Sequence, residues 1–116
     1  MKSFPSEQNA MGSIKYNEDV LKTMVGMAIK ELKGVAEIEG KGTAGLLGRK
    51  KFSSVNKISV EGNKLVLDLS LVLTYGLDLR AKALETQQKI SAMIENMTDL
   101  TIGAINVTVA SLDFKE

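Results

Sequence analysis

The chain has 116 residues, 44% hydrophobic and 25% charged, with a formal net charge of +1. That makes one domain, large enough to bury roughly two-thirds of its unfolded surface, with no global field directing it to nucleic acid or to a membrane. It contains no cysteine and no histidine, which excludes disulfides, thiolate metal sites and the usual base near neutral pH.

Residues 1–11 hold the only proline and read as a flexible N-terminal tail. They have no apolar run of the signal-peptide kind. No window of the chain approaches the ~20 apolar residues of a membrane span, so a cytoplasmic chain without direct membrane insertion is expected. A single α+β domain follows over residues 12–116. It opens with a short strand candidate, Gly12–Tyr16, with Ile14 and Tyr16 on one face.

Asn17 is a good helix N-cap, and Glu18 and Asp19 follow where the helix dipole favours negative charge. Val20, Met24, Ala28 and Leu32 recur every four residues, flanked by Leu21, Val25 and Ile29. This wide apolar stripe predicts a helix over 17–33, with Gly34 as its C′ residue. Val35–Glu39 alternates and reads as a short strand. Residues 40–54 break the pattern with glycines and a basic run, and form the one long loop.

Lys57–Glu61 alternates again, and Gly62-Asn63 separates it from Lys64 as a two-residue hairpin turn. Pairing Glu61 with Lys64 sets Val60 opposite Leu65 and Ile58 opposite Leu67, so the apolar faces coincide. Then comes the strongest signal in the chain. Leu65, Leu67, Leu69, Leu71 and Leu73 occupy every second position, and in an extended strand all five share one face. A helix would scatter them and drive Asp68 into the same apolar surroundings.

Asp78 is the natural N-cap of a second helix ending near residue 97. Leu79, Ala83, Ile90, Ile94 and Met97 form its apolar side, widened by Leu84 and Met93. In the final strand, Ala104–Phe114, Ile105, Val107 and Val109 share a face and Leu112 and Phe114 fall out of phase. That break predicts a bulge near Ala110-Ser111. The order β-α-β-β-β-α-β implies a two-layer α+β sandwich with a mixed or antiparallel sheet, both amphipathic helices on one face, and a split βαβ topology.

Two candidate sites emerge. In the glycine-rich basic loop, Gly42, Gly45 and Gly48 allow close backbone approach to an anion, and Arg49, Lys50 and Lys51 add positive charge. The Walker spacing is missing. The G-x-x-G matches at 42–45 and 45–48 lead into a strand, whereas the KH loop joins two helices. Only Phe52 could supply stacking for single-stranded nucleic acid. The second candidate is the far face of the leucine strand, where Val66, Asp68, Ser70, Val72 and Thr74 form a half-apolar surface with no helix to cover it. Asp68 has no second acid to pair with, so no catalytic residue, metal ligand or cofactor-binding residue is assigned. Met24, Met93 and Met97 read as core filling rather than as a flexible binding surface.

The ordered set of segments resembles the alkaline-shock envelope stress-response family of Gram-positive bacteria. The resemblance lies in Gly12-Ser13-Ile14 before the first helix, Gly34-Val35 after it, and Thr74-Tyr75-Gly76 closing the leucine strand. Met97-Thr98-Asp99-Leu100 and the ending Ile105-Asn106-Val107-Thr108-Val109 complete it. It covers about residues 12–114. It implies a small non-enzymatic bacterial protein without cofactor or small-molecule substrate. It also implies self-association and recruitment to the inner face of the cell membrane by a membrane-anchored protein partner. The alternative is a small RNA- or anion-binding module using the glycine-rich basic loop.

Overall fold

The computed structural model describes residues 14–39 and 51–114. Helix α1 (Glu18–Lys30) is followed by strands β1 (Ser54–Glu61) and β2 (Lys64–Thr74), helix α2 (Leu79–Met97) and strand β3 (Thr101–Asp113). The sheet order is β1-β2-β3, with β1 antiparallel and β3 parallel to β2. A parallel neighbour requires a crossover, and α2 supplies it.

The five β2 leucines are each 1% exposed or less. Leu21, Val25, Ala28 and Ile29 of α1 and Ile90 and Ile94 of α2 share their cluster. Both helices therefore lie on the leucine side of the sheet, and the two-layer α+β sandwich stands. Burying one such side chain contributes about 1.5–3 kcal/mol, so the five β2 leucines are a large part of the core that joins the sheet to both helices.

Local chemistry sets the boundaries. Asn17 Oδ1 accepts the Val20 amide at 2.8 Å and starts α1; Asp78 Oδ1 accepts the Ala81 amide at 3.1 Å and starts α2. Helix α1 ends three residues before the expected 33. The amides of Glu31 and Leu32 turn to the carbonyls of Ala28 and Ile29, three residues back, and this tightening closes the last turn. Its buried stripe is centred on Leu21, Val25, Ala28 and Ile29, leaving Val20 41% exposed. Gly34, in the left-handed region at φ +84°, then redirects the chain.

The hairpin register is the expected one, Glu61 with Lys64, Val60 with Leu65 and Ile58 with Leu67. The turn carries Gly62 at φ +63°. The bulge also falls where the phase break placed it: Val109 pairs with Leu71 and Ser111 with Val72, skipping Ala110 and returning Leu112 to the core. A second bulge skips Gly103 between Ile102 and Ala104.

Two expected strands are absent among the described residues. Ile14–Asn17 has no strand pairing, and Ile14 is exposed; Gly12, Ser13 and the expected tail lie outside the described residues. Val35–Glu39 makes two isolated bridges, Val35 with Leu73 and Ile38 with Ser53. It first follows the end of β2, where β1 no longer reaches, and then turns onto Ser53, so no continuous ladder develops. The split βαβ topology is corrected with them: β2 and β3 are direct neighbours, and no strand lies between them.

Candidate interaction surface

Most of the far face of β2 is a polar hydrogen-bonded surface. Register places Val66, Asp68 and Ser70 beside Ala104, Asn106 and Thr108 of β3, and beside Ser59, Lys57 and Ser54 of β1. Asn106 Nδ2 donates to Asp68 Oδ1 at 2.7 Å, and Asn56 Nδ2 donates to Ser70 Oγ at 2.7 Å. Ser54 Oγ donates to Asn56 Oδ1 at 3.2 Å. Val66, Asp68, Ser70 and Thr74 are half-buried, and no described helix covers them. Asp68 is thus a hydrogen-bond acceptor in a cross-strand pair, and among the described residues no three His, Cys, Asp or Glu side chains converge.

Val72 does not belong to the open surface. It is 5% exposed, because β1 has ended at that level and Ala36 and Ser53 close in beside it. The Ala36 amide donates to the Val72 carbonyl at 2.9 Å, and the Val72 amide donates to the buried Ser53 hydroxyl at 3.0 Å. Alternation gave its direction correctly; what surrounds it depends on contacts distant in sequence.

Of the basic loop, Gly42, Gly45, Gly48, Arg49 and Lys50 lie outside the described residues. Lys51 Nζ donates to Ser111 Oγ and to the Leu112 carbonyl, both at 3.0 Å. Its ammonium therefore ties the start of the β1 segment to the end of β3.

Among the described residues, concavities lie on either side of the helix layer. A cleft of about 430 Å³ at the C-terminal end of α1 is bordered by Lys30, Lys33, Glu37, Thr74 and Asp113, both charge signs together. An open groove of about 470 Å³ runs between α2 and β3, over Gln87, Ser91, Glu95, Ile102 and Ile105. In it Glu95 Oε2 accepts the Ile102 amide at 2.9 Å, and Gln87 Nε2 donates to the Ile105 carbonyl at 2.8 Å. Hydropathy gives no sign of these contacts, since Gln87 and Glu95 are polar residues outside the apolar positions of α2. At the far end of β2 and β3 the exposed rings of Tyr75 and Phe114 stack with centroids 4.5 Å apart.

No described helix is long and apolar enough to cross a membrane. The chain is similar to a protein of Bacillus subtilis (strain 168) that bears the name uncharacterized protein YqhY. The two are 28% identical over 113 residues, which span 93% of this chain and 82% of that protein. No solved structure matches the chain. A family model described as ASP23 family, cell envelope-related function, matches residues 6–114, a range that takes in the whole described fold from α1 to β3. The chain belongs to that alkaline-shock family, whose function is related to the cell envelope.

Proposed function

We propose that the chain is a non-enzymatic envelope stress-response protein that acts through protein partners and self-association, held at the cytoplasmic side of the cell membrane by a membrane-anchored partner. The observation that carries this reading is the open sheet face. Both helices pack on the leucine side, and the opposite side presents Asp68, Ser70, Asn106 and Thr108 as an ordered polar surface across two strands. Such a surface suits docking of another protein, whose polar groups can match fixed donors and acceptors. The envelope-related function of the family supports the setting.

A fluorescent fusion expressed in Bacillus subtilis tests it. The expected result is fluorescence along the cell periphery for the wild type and throughout the cytoplasm for Asp68→Arg with Asn106→Arg. Uniform wild-type fluorescence would overturn the membrane-side reading. Identical peripheral patterns for both, with the variant folded, would remove this face from it.

A further inference from the structure

We infer that the middle of the β3 edge, Val107 to Val109, is a self-complementary pairing site for a second copy of this chain. The inference rests on the self-association in the proposed function and names its surface. In a strand, the backbone groups of successive residues point alternately to its two sides. The Asp113 carbonyl accepts the Tyr75 amide at 2.9 Å, facing β2, whereas the Ile102 amide and Ile105 carbonyl face outward to Glu95 and Gln87. Val107 and Val109 share the phase of Ile105, ahead of the bulge at Ala110. Beyond that bulge Lys51 takes the Leu112 carbonyl. Side chains therefore cap the edge at both ends. Between the caps, the N–H and C=O of Val107 and Val109 have no partner among the described residues.

These four groups are symmetric about Thr108. A second β3 running antiparallel about a two-fold axis there sets Val107 against Val109 of the other copy, and Val109 against its Val107. Each pair exchanges both of its backbone bonds, so all four groups are satisfied. A longer, unrelated strand would have to displace Gln87 or Lys51. Charge agrees: Thr101–Leu112 carries no charged residue, so two copies meet without like-charge contact. The opposite edge, β1, carries Lys57, Glu61 and the irregularity at Asn56, the usual defences of an edge strand. Val109, 37% exposed, gains an apolar cross-strand neighbour on the leucine side.

Sedimentation velocity on the full chain, from micromolar to millimolar concentration, tests this together with two variants. Val109→Pro removes one outward N–H while sparing the bonds to β2. Val107→Lys with Val109→Lys sets like charges opposite one another. The expected result is a wild-type mass that doubles with concentration and folded variants that remain monomeric. A wild type that stays monomeric overturns both this inference and the self-association reading. A wild type that doubles alongside folded variants that double equally overturns the edge alone. Should the variants not fold, residue-resolved amide exchange on the wild type decides. Exchange at Val107 and Val109 slows as the mass doubles if the edge pairs, and unchanged exchange there overturns the inference.

Discussion

The fully buried hydroxyl of Ser53 accepts the amide of Val72 at 3.0 Å, standing in for the strand neighbour that β1 does not provide beyond Ser54. The Ser53 backbone adds two bonds to the 35–39 segment, donating to the Glu37 carbonyl and accepting the Glu39 amide, each at 2.9 Å. One residue thus joins three parts of the chain. Ser53→Ala leaves the Val72 amide buried without a partner, a cost of about 1–3 kcal/mol. Urea denaturation should show a lower midpoint with unchanged slope.

Gly34 carries a different constraint. Its φ of +84° is combined with a close approach, since a Cβ there would lie 2.3 Å from Leu77 Cδ1. Leu77 is partly exposed and can swing aside, whereas the left-handed backbone cannot be relieved locally. Gly34→Ala should destabilise by about 1–2 kcal/mol. Most of that loss should persist in the Leu77→Ala background, measured as a double-mutant cycle of thermal unfolding. Full rescue by Leu77→Ala would make the clash, not the backbone, the cause.

Thr86 shows where hydropathy misleads. The expected stripe of α2 ran through Leu84 and Met97, yet each is 53% exposed and the buried positions are Thr86, Ile90 and Ile94. Its hydroxyl is satisfied within the helix, donating to the Lys82 carbonyl at 2.8 Å, so a polar residue occupies an apolar position at little cost. Thr86→Val keeps the shape and removes only that local bond, so stability should stay within about 1 kcal/mol of wild type. Thr86→Asp introduces a charge with no partner and should unfold the domain. Circular dichroism melts distinguish the two.

Much of the fold was legible because its signals are local and agree. Period-two leucines, a glycine turn, Asn17 and Asp78 as caps, and the phase break at Ala110 each specify one feature from a few neighbouring residues. What was not legible depends on distant partners. Gly12–Tyr16 has an alternating pattern, but the described part of it pairs with nothing. Val35–Glu39 is divided between β2 and Ser53, and the capping of β3 by Gln87 and Glu95 requires knowing that α2 lies over that edge. The candidate face divides in the same way: Asp68 and Ser70 lie on the open surface that alternation assigns them, and Val72 does not.

Val66 and Val72 therefore separate the direction of a side chain from its surroundings. Both lie on the same face of β2 by alternation, but Val66 is half-buried in the open part of the sheet and Val72 is 5% exposed beside Ala36 and Ser53. Val66→Lys can extend its ammonium into water along the face and should change stability by less than about 0.5 kcal/mol, the usual range for surface substitutions. Val72→Lys must place a charge where neighbours exclude water, so it should cost at least about 3 kcal/mol or leave the chain unfolded. Paired urea titrations settle the matter. Equal tolerance at the two positions would mean that Val72 is open in solution, and Ala36 and Ser53 would then not close against β2 as they do in this structure.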